Sequence, residues 1–284
     1  MRTQRNDAEA WEATVRGFGQ EWSTFDQSRV DERHLAALFD DYFAIFPWQD
    51  LGSDARGVDI GCGTGRWAQF VAPRVGALLC IDASPDAARV GRRRLATSPN
   101  VLVSAGTAES LPVAGGSLDF GYAIGVLHHT PDTRAALAEC VRALRPGAPL
   151  LVYLYYDLDG RSGWYRALWG LSNAARHRIA RLPFRARYWV TQTIAALVYW
   201  PLARTARVAE RLGASPTQVS SIPLGFYRDL PFYTMRNDAL DRFGTVVEQR
   251  FSRREIVEML EGAGLRDVRF SPDAPYWCAV GWVE

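Results

Sequence analysis

The chain has 284 residues, and its apolar fraction of 48% is enough to bury a substantial hydrophobic core. The net charge is +2, all 33 basic residues are arginine, and this balance by itself indicates no particular class of partner. The four cysteines are scattered and the polar N-terminus has no signal peptide, which argues against a zinc site or disulfide framework and predicts a cytoplasmic protein.

Residues 1–50 are predicted to form a helical cap. Apolar side chains recur there at helical spacing, at Leu35, Leu38, Phe39, Tyr42 and Phe43. Residues 51–156 then alternate strand and helix patterns, which predicts a parallel sheet with helices on both faces.

The most informative stretch spans residues 58–68, where an apolar run ends in Asp59 and three glycines follow at alternate positions. The pattern indicates a strand, a tight turn and a helix, because glycine permits unusual backbone angles and lets a ligand approach the main chain. The spacing is Asp-x-Gly-x-Gly-x-Gly, not the Gly-x-Gly-x-x-Gly of dinucleotide loops. A carboxylate at this position favours a cationic ligand group over a pyrophosphate. A plain glycine-rich turn or a nucleotide loop is the alternative on this stretch alone.

A second acid ends the next predicted strand, residues 77–82. Asp82 lies nineteen residues past Gly63, and an acid at about that distance can hold ribose hydroxyls. Ser84 and Pro85 then predict a helix start, with Ser84 as the N-cap. A helix N-cap is the alternative role for Asp82.

Three further strands are predicted, over residues 101–103, 118–124 and 149–156. A helix from Asp132 to Leu144 precedes the last of them. The loop after the fourth strand carries His128 and His129. Since ligands bind at the carboxyl edge of such sheets, this edge is the predicted site.

These motifs, in this order and spacing, resemble those of the class I S-adenosylmethionine (SAM) methyltransferases, and most closely the type 11 group of quinone, sugar and natural-product enzymes. The resemblance implies an α/β, Rossmann-like fold with a seven-stranded, mainly parallel sheet in the order 3-2-1-4-5-7-6, strand seven being antiparallel. Leu265–Phe270 and Tyr276–Val283 fit the last two strands, and a capping-box pattern starts a helix over Ser252–Glu261. The cap is implied to fold over the cofactor, or alternatively only to cover the sheet edge.

By matched position, the resemblance assigns a set of residues to SAM, whose product is S-adenosylhomocysteine. They are Asp59, Gly61, Gly63, Gly65, Asp82, Ala83, Thr107, Ala108 and Gly125. Asp59 is implied to meet the amino group of the methionine moiety, Asp82 the ribose hydroxyls, and the Ala108 amide the adenine. Many relatives have Asp where Thr107 stands, and threonine contacts the adenine amine only weakly. No set of acids suited to magnesium is recognisable, so transfer without a metal is expected.

His129 and His128 are the candidate catalytic bases, with His129 preferred. Histidine titrates near neutral pH, and related sugar and phenol O-methyltransferases use a His here to deprotonate a hydroxyl. The alternative is a His that only orients the loop or caps a helix. Asp157 and Asp159 follow strand five at the same edge, where either could orient the His or bind a sugar hydroxyl, or serve only as surface acids.

Residues 157–245 are predicted to be a mostly helical insertion, and residues 246–284 to complete the sheet. Arg161 to Arg211 holds ten arginines, one acid and four tryptophans, and Tyr188 to Ala203 has no charge over sixteen residues. Three interpretations are open: a lid or homodimer face with a solvated basic rim, a membrane-surface element, or a nucleic-acid face. A lid or dimer face would bury its tryptophans against other protein.

Residues 220–242 are predicted to be a loop or a second pocket wall. Its aromatics could line a substrate site or serve ordinary loop packing; they are Phe226, Tyr227, Phe232 and Tyr233.

The predicted function is SAM-dependent methylation of a small-molecule acceptor, with a hydroxyl of a sugar or natural-product scaffold preferred. The alternatives are a membrane-associated lipid or quinone methyltransferase, an RNA or protein methyltransferase that uses the arginine-rich insertion, and a SAM-binding protein without turnover.

Overall fold

The computed structural model describes residues 2–157, 163–272 and 277–284. The chain divides into two compact units. The core unit comprises Met1–Gln27, Asp31–Arg161 and Val247–Glu284, and the insertion unit comprises Ser28–Val30 and Ser162–Val246.

The strands all belong to one sheet in the core unit. They are β1 (Arg56–Ile60), β2 (Ala77–Asp82), β3 (Val101–Ala105), β4 (Phe120–Ile124), β5 (Pro149–Tyr153), β6 (Leu265–Phe270) and β7 (Cys278–Val283). Their order is β3-β2-β1-β4-β5-β7-β6, and only β7 runs antiparallel to its neighbours. The predicted fold class and strand order are confirmed.

The α-helices of the described residues alternate with these strands and fill the insertion. They are α1 (Arg2–Thr24), α2 (Glu32–Tyr42), α3 (Ala68–Val71), α4 (Pro85–Arg94), α5 (Thr133–Ala143), α6 (Gly163–Ile179), α7 (Phe184–Ile194), α8 (Trp200–Arg211), α9 (Pro216–Ser221), α10 (Phe232–Gly244) and α11 (Arg253–Gly262). The capping box predicted at Ser252 and Glu255 starts α11. Asp132 is the N-cap of α5 and lies just outside it.

Both faces of the sheet are covered, because successive residues of each strand point to opposite sides. On β4, Tyr122 packs in a cluster with Phe39 and Phe43 of α2. Ala123 packs on the other side with Leu137 of α5. Helix α2 is therefore a packing helix of the core.

The insertion unit is a helical unit with a small apolar core of its own. Tyr199 and Ala203 pack there against Met235, Ala239 and Phe243 of α10. Residues 220–242, predicted to be a loop or a second pocket wall, are largely helical, so the loop alternative was wrong. The apolar positions of α10 recur every four residues, but the polar run 236–238 between them conceals the periodicity.

Two arginines of the insertion are structural. Arg176 and Arg187 are buried. Arg176 donates to the carbonyl oxygen of Thr245, and Arg187 donates to those of Ala180 and Gly244. The guanidinium groups satisfy carbonyls at helix ends, so they belong to the unit's interior and not to a basic surface.

Three of the four insertion tryptophans are exposed to solvent in this chain. The exposed fraction is 58% for Trp164, 69% for Trp189 and 47% for Trp200. These rings therefore lie on the surface of the insertion unit and outside its own apolar core.

Candidate active site

The glycine loop after β1 has a backbone that only glycine adopts readily. Gly61, Gly63 and Gly65 have φ values of 72°, 53° and 74°. A Cβ atom on Gly61 would lie 2.3 Å from the side chain of Val126. The loops that follow β1 and β4 therefore meet at the carboxyl edge of the sheet.

Asp59 is a buried carboxylate at the end of β1. Its exposed fraction is 1%, and its Oδ2 atom has no hydrogen-bond partner among the described residues. Burial raises its pKa to about 8; the nearby Tyr122 hydroxyl lowers it, Asp82 raises it, and Arg66 lowers it. A cationic group in direct contact with this carboxylate would lower its pKa, and the ammonium of the methionine moiety of SAM is a group of that kind.

Asp82 ties the glycine loop to the end of β2. Its Oδ2 accepts a hydrogen bond from the Gly63 amide at 2.8 Å, and its Oδ1 accepts one from the Ser84 amide at 2.8 Å. Burial raises the pKa of Asp82 to about 6, and these two amides oppose the rise. Ser84, not Asp82, is the N-cap of α4. A carboxylate has about four lone-pair positions, so Asp82 retains capacity for ribose hydroxyls.

The loop predicted to meet adenine follows β3. The Gly106 amide donates to the carbonyl oxygen of Asp82 at 3.0 Å, so this loop lies beside the acid. Ala108 is buried and Thr107 is partly buried. Next to Ala108, the Oε1 atom of Glu109 is buried without a hydrogen-bond partner in the described chain.

Helix α1 lies across this edge of the sheet. Phe18 meets the ring of His129 edge to face, with centroids 5.1 Å apart. One turn later, Trp22 lies so close to the loop that a Cβ on Gly63 would be 3.3 Å from its Nε1. Arg66 stacks over Trp22 and Trp67 at 5.5 and 4.6 Å. This helix, not α2, is the part of the N-terminal segment that contacts His129 and the glycine loop.

The two histidines lie in a short turn, Leu127–His129, after β4. Nδ1 of His129 lies 2.7 Å from the carbonyl oxygen of Val247. His128 is fully buried, and neither of its ring nitrogens has a partner within the described ranges. Its ring stacks on Tyr155 with centroids 3.8 Å apart. Burial, then the neighbouring charges of His129 and Arg250, hold its pKa well below the usual range.

A return segment, residues 247–251, fixes this turn from outside. The Gln249 amide donates to the carbonyl oxygen of His128 at 2.9 Å, and its side chain donates to that of Thr130 at 2.8 Å. Within the segment, Arg250 pairs with Glu248 at 2.8 Å. Sequence reasoning missed this segment, because five residues without periodicity between two helices give no signal.

The remaining predicted residues that the structure describes follow β2, β4 or β5 at the carboxyl edge of the sheet. Gly125, with φ of 78°, follows β4, and Ala83 follows Asp82. The amide of Asp157 donates to the carbonyl oxygen of Phe251 at 2.9 Å, so its backbone joins the return segment. Asp159 lies outside the described residues. The ligand roles of all these residues remain predictions.

A seven-stranded sheet in this order, with an acid and a glycine loop at the end of β1, defines the class I SAM-dependent methyltransferases. A family model described as a methyltransferase domain matches residues 58–152. An uncharacterized methyltransferase of Mycobacterium tuberculosis is 32% identical over 149 residues, which cover 50% of this chain and 71% of the relative. The chain belongs to this family, in its type 11 group.

Two further relatives define how far the likeness extends. A malonyl-acyl-carrier-protein O-methyltransferase of Serratia marcescens is 26% identical over 149 residues, 52% of this chain and 55% of the relative. The chain thus spans about half the length of that enzyme. A solved structure from Bacillus halodurans, described as a candidate methyltransferase, has a TM-score of 0.50 at 14% identity over 82% of this chain and 72% of that one. This likeness shows the shared fold.

Proposed function

We propose that this protein methylates a hydroxyl oxygen of a small-molecule acceptor, a sugar or natural-product scaffold, with SAM as donor and His129 as base. The observation that carries the proposal is the 2.7 Å contact between Nδ1 of His129 and the Val247 carbonyl. A carbonyl oxygen only accepts, so the proton of neutral His129 belongs on Nδ1 and its lone pair on Nε2. An imidazole fixed in this tautomer is suited to take the proton of a hydroxyl.

His128 is a poorer candidate for the same step. Its pKa is held well below the usual range by burial and by neighbouring charges, so its protonated form is strongly disfavoured. The stacking of its ring on Tyr155 suits a positioning role instead.

The cofactor residues act by binding and orientation. SAM supplies a methyl group on a sulfonium, which a nucleophile in line with the carbon–sulfur bond accepts. Asp59 would pair with the ammonium, Asp82 would accept from the ribose hydroxyls, and the Ala108 amide would meet adenine. Much of the acceleration would come from holding donor and acceptor in line.

Helix α1 would exclude water from this arrangement. Phe18 contacts the proposed base and Trp22 covers the glycine loop, so one helical face reaches both halves of the site. Asp59, Asp82 and His129 are each buried. A dry site strengthens the electrostatic contacts to the cofactor.

Oxygen as the acceptor atom has support from the Serratia relative, whose name specifies O-methylation. Two of the arginines behind the nucleic-acid alternative, Arg176 and Arg187, are buried and could not contact a nucleic acid.

The proposal is tested with methyl-¹³C-labelled SAM and a panel of sugars, phenols and hydroxylated quinones. We expect S-adenosylhomocysteine and a product whose ¹³C shift is that of a methyl ether, with product lost in His129→Ala. Label on nitrogen or carbon would overturn oxygen as the acceptor atom. SAM binding without turnover on any acceptor class would favour the SAM-binding protein without catalysis.

A further inference from the structure

Exposed apolar side chains are concentrated in the insertion unit. Among the described residues, all but one of the large hydrophobic side chains that are exposed lie there, the exception being Leu102. Single exposed hydrophobics are ordinary on protein surfaces, but a concentration in one unit indicates a contact surface.

The longest part of this surface is one continuous helix. Helices α7 and α8 are joined without interruption by a π-helical turn, Ala195–Tyr199. One side packs inward through Ala195, Tyr199 and Ala203. The other side exposes Trp189, Leu197 and Trp200, with exposed fractions of 69%, 71% and 47%.

The exposed side of this helix carries no charge between Tyr188 and Ala203. At a rise of 1.5 Å per residue, this neutral stretch is roughly 22 Å long. Its tryptophans are amphipathic rings of the kind that lie at the headgroup level of a bilayer. We call the stretch from Tyr188 to Ala203, whose outer side is the exposed one, the neutral face.

Arginines flank the neutral face at both ends. Arg178, Arg181 and Arg185 are exposed before it, and Arg211 is exposed after it. Within the part of the chain that the structure describes, none of these four pairs with an acid. The acid Glu210 at the far end is paired with Arg228 at 3.0 Å.

We propose that the neutral face and its flanking arginines dock this protein on an anionic phospholipid surface. The apolar side chains would enter the boundary between headgroups and acyl chains, and the arginines would contact lipid phosphates. This inference does not depend on the identity of the methyl acceptor.

Charge decides between a lipid surface and a second copy of the chain. A two-fold dimer places the same patch against itself, and both ends of this patch are basic. Whether the two helices ran parallel or antiparallel, such a dimer would bring the arginines of one copy close to those of the other. The neutral face has no acid that could pair with them. An anionic lipid surface complements both ends at once.

The helix lies on the bilayer and does not cross it. The neutral face has sixteen residues, whereas about 20 are needed to span the hydrocarbon core. No helix within the described ranges is both long and apolar enough to span a membrane.

The test is co-sedimentation of the full chain with vesicles of phosphatidylglycerol and phosphatidylcholine, against pure phosphatidylcholine. We expect binding to the anionic vesicles that weakens with added salt. Trp189→Ser with Leu197→Ser should weaken binding about tenfold or more, because apolar area is lost. Arg181→Gln with Arg185→Gln should also weaken it about tenfold or more, at about 1 kcal/mol per arginine near the surface.

Matched controls keep the test specific. Leu102→Ser removes an equally exposed apolar side chain from the core unit, with 66% exposure, and should leave vesicle binding unchanged. Unchanged melting temperature and SAM affinity would show that the variants fold. Absence of binding to anionic vesicles at low salt would overturn the proposal. So would a dimer in sedimentation velocity that the Trp189→Ser and Leu197→Ser variant converts to monomer.

Discussion

Nδ1 of His129 lies 2.7 Å from the carbonyl oxygen of Val247, although 118 positions separate the two residues in the chain. The proposed base is thus oriented by the segment through which the chain returns from its insertion. The Val247 amide in turn donates to the Thr14 hydroxyl of α1 at 3.1 Å. Base, return segment and covering helix form one connected set of hydrogen bonds.

The first prediction distinguishes the catalytic roles of His129 and His128. His129→Ala should lower turnover by roughly 10²–10⁴-fold, the contribution expected of a general base, while SAM affinity barely changes. His128→Phe keeps a ring against Tyr155 and should retain most of the activity. Steady-state rates with the natural acceptor and calorimetric SAM affinities measure both. If both variants and their combination keep near-normal turnover, neither histidine is the base.

The second prediction concerns pH and Asp59. In the cofactor-free protein its pKa is about 8, whereas its ordinary value is 3.8, so the folded state holds this proton more tightly than the unfolded state. Stability is therefore lost as pH rises from about 4 to about 8. Asp82, with a pKa of about 6, contributes the same trend at lower pH. Melting temperatures of the cofactor-free protein should fall between pH 6.5 and 8, the part of the window that Asp59 dominates.

Asp59→Asn should remove most of that decline. We expect the variant to melt higher than the wild type at pH 8 and to bind SAM about tenfold or more weakly, since the ammonium loses its charged partner. Calorimetry and thermal melts report the two effects separately. A wild-type melting temperature that rises over this pH range would contradict the burial argument.

The third prediction is that Asp82 serves both the glycine loop and the cofactor. Asp82→Ala should weaken SAM binding by about tenfold or more, because one lost partner of a buried polar group costs roughly 1–3 kcal/mol. Asp86→Ala, at an exposed acid of the same helix start, is the matched control. Unchanged SAM affinity in a folded Asp82→Ala variant would refute the assignment.

The fourth prediction concerns the cover over the glycine loop. Trp22→Ala should speed the dissociation of SAM and weaken its binding several-fold, because the ring beside Gly63 is lost. Arg16→Ala changes an exposed residue of the same helix and should have no effect. Stopped-flow dissociation rates measure both. Equal rates for Trp22→Ala and wild type would show that α1 does not restrain the cofactor.

Much of the core could be predicted because its signals are local. Asp59 and the glycines that follow it stand within a few residues of one another, and their spacing fixes strand, turn and helix together. The strand order then followed from the resemblance, and the sheet confirms it.

What could not be predicted depends on contacts between distant segments. Nothing near Phe18 indicates that it meets His129, and nothing near Val247 indicates that its carbonyl orients that ring. The helix α10 was missed for a different reason. Its inward positions, such as Met235 and Ala239, are separated by polar side chains. Without knowledge of the helix against which they pack, this sequence pattern is typical of a loop.

The π-helical turn between α7 and α8 sets how the two halves of that long helix are rotated about their common axis. A π turn accommodates an extra residue, and one residue corresponds to about 100° of rotation in an α-helix. Inserting one more alanine after the exposed Ala196 adds a residue that the turn has not absorbed, so it should turn α8 out of phase with α7. Tyr199 and Ala203 could then no longer face inward while Trp189 and Trp200 share the outer side. The insertion should lower the melting temperature, whereas Ala196→Ser should not, so the helix tolerates a change of residue identity there far better than an increase in length.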